Sequence, residues 1–162
     1  MKDPRVQKAL DFDEECGLLR AFLSSDKHTV MVLATSSKDR VLARNVLIAA
    51  DDLDLYGFTW KHSRKCAQIE ANPRVALCVD TLQLEGRAEL LGPLTNPETP
   101  GVTVMRERFP DAVEQWALRP GMIVFRVRPT LVVLAEPVDG KPALHFIDFE
   151  KREAYGELWA DG

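Results

Sequence analysis

The stretch HTVMVLATSSKDRVLARNVLIAADDLDLYGFTW, residues 28–60, predicts three β-strands joined by two tight turns. Residues 28–35 and 40–50 are rich in β-branched and apolar side chains, and the residues between them are polar turn formers. A second turn at Asp51-Asp52 leads into a third strand over residues 53–60. Because such short connections require antiparallel neighbours, the stretch indicates an antiparallel meander.

The rest of the chain continues this pattern of short strands separated by small helices. The clearest strand is Leu82–Leu90, in which apolar and polar side chains alternate as on a half-solvated sheet. Further strands are predicted at residues 74–80, 122–127, 130–135 and 144–149, with Pro129 as an interruption. Helices are predicted at residues 13–23, 64–71, 105–109 and 111–118. A mostly β fold with accessory helices follows, and a small closed or split barrel would remove most exposed strand edges.

Composition limits the classes of protein to which the chain can belong. Its 162 residues fit one domain, residues 1–162, with 46% hydrophobic and 28% charged residues. A net charge of -4 argues against a general nucleic-acid-binding protein, which needs a basic surface. No stretch approaches the roughly 18 uninterrupted apolar residues of a membrane span, and the charged N-terminus does not resemble a signal peptide. We expect no nucleic-acid or membrane partner.

Cysteine and histidine usage indicates a reducing compartment and no metal site. The three cysteines form no CxxC pair, which fits the cytoplasm. His28, His62 and His145 stand alone, without the spacing of a zinc site, so we expect them to be packed or surface residues.

The most informative local feature is the start of the helix predicted at residues 64–71. Ser63 is a good N-cap and Asn72-Pro73 supplies a stop. Lys61, Arg64 and Lys65 crowd this N-terminus, where free amides and the helix dipole already present positive charge. One interpretation is a solvated, basic helix start, tolerated at a small cost. The other is a phosphate site, because a phosphate would convert the repulsion into attraction.

Arg44 is the second unusual residue, because it shares one face of its predicted strand with Leu42, Val46 and Ile48. A guanidinium among aliphatic side chains needs a partner, since an unpaired buried charge costs several kcal/mol. Three explanations compete: a buried carboxylate, exposure at a barrel rim, or the anion held by the helix. Thr59, one hairpin further on, would add a hydroxyl to that anion site.

These segments together resemble a known family. The ordered series is Arg44-Asn45-Val46-Leu47-Ile48, Phe58-Thr59, Ser63-Arg64-Lys65, Gln68-Ile69-Glu70-Ala71-Asn72-Pro73-Arg74-Val75 and Gly86-Arg87-Ala88-Glu89. It is similar to the pyridoxamine 5'-phosphate oxidase family of FMN-binding split barrels. The resemblance is good from about residue 30 to residue 91, moderate from 122 to 135 and poor at both ends.

The resemblance implies a six-stranded antiparallel split β-barrel that forms a homodimer, with FMN in clefts between subunits. Arg44, Thr59, Arg64 and Lys65 correspond to phosphate-site residues of the family. Asn45, Val46, Leu47 and Phe58 lie on strands that border the ribityl chain and the ring. Ser63 is added to the predicted site only because it is expected to cap the helix at residues 64–71.

Two departures from the family argue against vitamin B6 synthesis. The oxidases end their first motif with a lysine that holds the substrate phosphate, whereas this chain has Ala49. Their C-terminal Arg-x-His motif is also absent from residues 150–162. The resemblance therefore implies an FMN-dependent oxidoreductase acting on another small molecule, with hydride transfer at flavin N5 and no assigned catalytic side chain. The alternative is a binding module for deazaflavin or haem, for which His62 or His145 is the obvious axial ligand.

Overall fold

A computed structural model describes residues 5–159 of the chain. The strands are β1 Arg5–Leu10, β2 Val30–Ser37, β3 Arg40–Leu47, β4 Ala49–Asp51, β5 Asp54–Trp60, β6 Arg74–Val79, β7 Leu82–Pro93, β8 Met122–Ala135, β9 Ala143–Asp148 and β10 Glu153–Trp159. The α-helices are α1 Phe12–Leu23, α2 Arg64–Ala71, α3 Val102–Arg108 and α4 Pro110–Ala117. No helix in the described range is long and apolar enough to cross a membrane.

All strand pairs in the described residues are antiparallel, which confirms the mostly β prediction. The sheet runs in the order β1-β10-β9-β8-β7-β6-β2-β3, while β5 pairs with β8 and β4 pairs with β5. Because β3 ends this path without pairing to β5, the sheet curls without closing. It is a split barrel with ten strands in residues 5–159, more than the six expected from the resemblance.

The longest strand, β8, corrects the expectation that Pro129 separates two strands. Residues 122–127 of β8 pair with β5, and residues 131–135 pair with β9 along the same edge. Pro129 lies between these two partners, so its missing N–H interrupts neither ladder. Opposite it, a register shift in β7 places Gly86 so close to β8 that a Cβ would lie 2.6 Å from the Arg128 carbonyl oxygen.

The sequence analysis did not predict two of the strands, and one strand that it predicted is divided in the structure. β1 and β10 pair along the far edge of the sheet. β1 has almost no buried side chain, so no apolar alternation marks it. The predicted run of residues 40–50 breaks at Ile48, whose N–H bonds to the Thr29 carbonyl while the next residues pair with β5. His28 lies in a short 3-10 turn before β2, not in the strand.

Two hydrophobic cores support the site described below. The main core fills the barrel beneath α1 and α2, and includes Leu19, Leu33, Leu77 and Phe125. A smaller core lies where α3 and α4 cover β4 and β5, and includes Ala49, Tyr56 and Met105. β5 therefore separates the two cores: Thr59 is on its barrel side, and Phe58 packs against the smaller core.

Candidate functional site

The start of α2 has the geometry that its sequence predicts. The helix spans Arg64–Ala71, and the Ser63 hydroxyl accepts a hydrogen bond from the Cys66 N–H at 3.4 Å. Its first turn contains no acidic residue. In residues 5–159 the amides of Arg64 and Lys65 have no hydrogen-bond acceptor. Two donors and two basic side chains are therefore available at this end of the helix.

Lys65 turns back from the helix toward the end of β5. Its ammonium donates a hydrogen bond to the Thr59 hydroxyl at 2.8 Å, and that hydroxyl lies 3.4 Å from the Ser63 hydroxyl. Thr59 is only 5% exposed, so these groups form a small polar site at the barrel seam. The structure thus brings together three of the predicted site residues.

Arg44 reaches the same seam from β3. Its Nη1 donates to the Leu33 carbonyl oxygen at 3.1 Å and to the Thr35 hydroxyl at 2.8 Å. The Thr35 hydroxyl donates in turn to the Gln68 side chain of α2 at 2.5 Å. No carboxylate in the described part of the chain pairs with Arg44, which excludes a buried carboxylate there as its partner.

Arg44, Arg64 and Lys65 form what we call the cation cluster. Burial, and then the positive charge of Arg44, lower the pKa of Lys65. Burial, and then the charge of Arg64, lower the pKa of Arg44. None of the three forms an ion pair with an acidic residue between positions 5 and 159. The cluster therefore has an electrostatic cost in the free protein that a bound anion would relieve.

The remaining predicted residues are distributed around this cluster. Val46 follows Arg44 on the inner face of β3 and packs against the main core. Asn45 and Leu47 alternate with them on the outer face, where Asn45 is exposed. The side chain of Phe58 contacts the smaller core instead of the cation cluster. Gly57 allows close approach, because a Cβ there would lie 2.9 Å from the Leu47 carbonyl oxygen.

Sequence reasoning missed Thr35 and Gln68 as members of the site. Both are buried polar residues that connect Arg44 to α2, and the Gln68 amide also donates to the Arg40 carbonyl oxygen at 3.1 Å. The available signal was the position of Gln68, one turn after Arg64 and Lys65, and of Thr35 at the end of an apolar strand.

The two histidines considered as haem ligands have different surroundings. His145 is 6% exposed, and its Nδ1 lies 2.6 Å from a carboxylate oxygen of Glu15 on α1. Its Nε2 is buried without a partner in the described structure. His62 is exposed and packs edge-on against Trp60. Within residues 5–159 no group of three His, Cys, Asp or Glu residues could hold a metal ion.

The position at which the B6-forming oxidases have a lysine is buried in this protein. Ala49 is 1% exposed and belongs to the smaller core beneath α3 and α4. Residues 153–159 of the C-terminal segment form β10, paired with β1 and β9. Residues 160–162 of that segment lie outside the described range.

Solved structures show the same fold at low sequence identity. PhzG from Burkholderia lata, solved with tetrahydrophenazine-1-carboxylic acid, is 13% identical, with a TM-score of 0.62 over 92% of this chain and 96% of PhzG. A FAD-binding protein from Mesorhizobium loti is 17% identical, with a TM-score of 0.52 over 94% and 98% of the two chains. The haem storage protein HutZ from Vibrio cholerae is 16% identical, with a TM-score of 0.54 over 74% and 91%.

A comparison with family models gives the assignment. No curated protein matched the sequence. The pyridoxamine 5'-phosphate oxidase model matches residues 18–134, a range that includes the cation cluster, Thr59, Ser63 and most of the barrel. The match covers well over half of the 162 residues. The chain therefore belongs to the pyridoxamine 5'-phosphate oxidase family.

Proposed function

We propose that this protein is an FMN-binding oxidoreductase whose cation cluster holds the FMN phosphate. The observation that carries the proposal is a set of three cations, the partly buried Arg44 and Lys65 and the exposed Arg64, without a carboxylate partner in the described residues and beside two free backbone amides. A phosphate dianion supplies both the charge and the acceptors that these groups need. The family membership and the fold shared with a FAD-binding protein support a flavin as the carrier of that phosphate.

The residues around the cluster make different contributions to the binding of the phosphate. Arg44 is held in place by Leu33 and Thr35, so it can present its remaining N–H groups without losing further side-chain entropy. Lys65 and Thr59 are already hydrogen-bonded to each other, which orders the ammonium before a ligand arrives. The site is therefore preorganised, and this lowers the cost of binding.

Bound FMN would supply the redox chemistry through its N5 position. The protein's part is to hold the phosphate, orient the flavin and limit access of water. We propose Asn45, Val46, Leu47 and Phe58 as the strand positions nearest the rest of the cofactor. The side chain of Phe58 lies in the smaller core, so its contact with the flavin would be through the backbone. The substrate is a small molecule other than a B6 vitamer, since Ala49 is buried and uncharged.

We further propose a cytoplasmic homodimer with the cofactor at the subunit interface. The outer sheet face carries small and apolar residues along neighbouring strands, and with Gln83 and Glu85 of β7 they line a cavity of about 260 Å³: Val32, Ala34, Ala76, Cys78, Leu131 and Val133. A second copy would cover this face and bring further side chains to the exposed Asn45. The three free cysteines fit a reducing compartment.

Titration of flavin-free protein tests the phosphate assignment. FMN should bind far more tightly than riboflavin, which has the same ring and ribityl chain but no phosphate. Arg64→Ala should weaken FMN binding by about 1 to 3 kcal/mol and leave riboflavin binding unchanged. Equal affinity for the two flavins would refute the assignment.

The haem alternative has less structural support. HutZ shares the fold, but His145 is buried and its Nδ1 is already bonded to Glu15. Its Nε2 has almost no accessible surface in the structure, so an iron could not reach it without movement of the surrounding residues. A Soret band that is lost in His145→Ala would favour haem over flavin.

A further inference from the structure

A recess of about 510 Å³ opens beside the cation cluster, between the β2–β3 hairpin and α2. Its charged lining residues are Lys38, Arg40 and Arg64, and no acidic residue lines it. Leu42 and Ala67 give it an apolar wall. The volume falls within the roughly 300 to 1,000 Å³ typical of small-molecule sites.

The recess adjoins the proposed FMN phosphate site. Arg64 belongs to both, and Gln68 connects them through hydrogen bonds to Thr35 on one side and to the Arg40 carbonyl oxygen on the other. Because Thr35 also accepts from Arg44, one polar chain runs from the recess to the cluster. The path from the cluster along this chain and past Arg64 leads toward Lys38 and Arg40.

The positive charge along this path exceeds what one phosphate requires. Lys38 and Arg40 are exposed, and in the part of the chain described neither pairs with a carboxylate. Together with the cation cluster they place five basic side chains in the β2–β3 turn, on β3 and on α2. Like charges gathered at one end of a recess attract a ligand with several negative charges.

We propose that this recess is a second anion subsite, which takes the phosphoryl group of an adenosine nucleotide joined to, or bound beside, the flavin. The apolar wall of Leu42 and Ala67 suits the nucleoside. The inference rests on the proposed FMN phosphate site. The nucleotide has two sources: the adenylate half of FAD, or a reduced nicotinamide dinucleotide that binds as substrate over FMN.

Two binding measurements on the full chain distinguish these sources. In the first, flavin-free protein is titrated with FMN and with FAD by isothermal titration calorimetry. In the second, FMN-loaded protein is titrated with ADP and with a reduced nicotinamide dinucleotide. If FAD is the source, it should bind about tenfold more tightly than FMN. If the substrate is the source, ADP should bind to the FMN-loaded protein and compete with the dinucleotide.

The double variant Lys38→Ala/Arg40→Ala tests whether the preference for FAD, or the binding of ADP, depends on the recess. It should abolish the preference for FAD, or the binding of ADP, and leave FMN affinity within about twofold of the original protein. Lys151→Ala removes one positive charge from an exposed turn after β9 and serves as the control for a loss of charge away from the recess. It should change neither measurement.

The outcomes separate this inference from the function on which it depends. Normal FMN affinity, with no gain for FAD and no binding of ADP, would overturn the second subsite and leave the flavin proposal intact. An equal loss in Lys151→Ala would also overturn it, because the effect would then reflect general charge. Failure of FMN to bind better than riboflavin would remove the proposed function itself.

Discussion

Replacement of Lys65 by alanine should weaken FMN binding without a matching loss of stability. The ammonium is half-buried, and burial together with the charge of Arg44 lowers its pKa, so the charge is unfavourable in the free protein. In the described residues its hydrogen-bond partner is one neutral hydroxyl, that of Thr59 at 2.8 Å. Loss of that bond costs about 0.5 to 1.5 kcal/mol, and loss of the repulsion offsets part of the cost. We expect the free energy of unfolding to change by less than about 1 kcal/mol.

The effect on the ligand should be larger. A hydrogen bond to a charged partner contributes about 1.5 to 3 kcal/mol, so FMN affinity should fall roughly 10- to 150-fold. Two titrations of flavin-free protein provide the assay, one with FMN and one with riboflavin, and urea denaturation gives the stability. Riboflavin affinity should be unchanged, because riboflavin has no phosphate for Lys65 to bind.

Two controls make the result specific. Lys151→Ala removes an equal charge from an exposed turn and should leave both affinities unchanged. Thr59→Val retains the shape of the side chain and removes the hydroxyl next to Lys65, so a smaller loss of FMN affinity is expected. If Lys65→Ala destabilises the fold by several kcal/mol and leaves FMN affinity unaltered, then Lys65 is structural and the reasoning is refuted.

Three further predictions concern pH, packing and the buried histidine. FMN affinity should fall as the pH rises from 7 to 10, because the lowered pKa of Lys65 brings its loss of charge closer to neutrality; binding curves at several pH values would show this, and Lys65→Ala should flatten the trend. Gly57→Ala should destabilise the fold by about 1 to 3 kcal/mol in urea, because its Cβ would lie 2.4 Å from the Phe125 ring. His145→Ala should lower stability by about 1 to 3 kcal/mol, because it leaves Glu15 buried without its partner, and FMN affinity should not change.

Each of these has a clear contrary result. The same pH dependence of FMN affinity in the original protein and in Lys65→Ala would remove Lys65 from the phosphate site. A stable Gly57→Ala variant would show that β5 does not approach Phe125 as closely as described. Loss of flavin binding in His145→Ala, with stability retained, would transfer a ligand role to that histidine.

Local sequence was sufficient for the elements that carry the site. The hairpin turn between β2 and β3, the Ser63 cap and the bounds of α2 depend on short-range preferences, and the structure confirms them. The basic first turn of α2 was visible for the same reason, since charge next to a cap can be read without knowing the fold. The residues left a closed or a split barrel open and gave three explanations for Arg44, and the family resemblance favoured the split barrel and the shared anion; the match over residues 18–134 confirms the family.

Long-range pairing decided the rest. Nothing local shows that β1 and β10 pair, because an edge strand exposed on both faces needs no apolar alternation. Pro129 predicts a break in the strand, yet β8 continues through it. β5 and β9 pair with the same edge of β8, and neither of them pairs with residue 129. The roles of Thr35 and Gln68 also depend on tertiary contacts. A buried polar residue is recognised by the hydrogen bonds that it makes in the folded protein, and its neighbours in sequence do not show them.

The sequence by itself determined where positive charge collects and where the β2–β3 hairpin and α2 form, because those properties arise within a few residues. Only the tertiary structure decided that Arg44 meets Lys65 and Arg64 at the seam of an open barrel, and that no described carboxylate joins them. The distance between charges and the burial around them set the electrostatic cost, and both are properties of the folded chain.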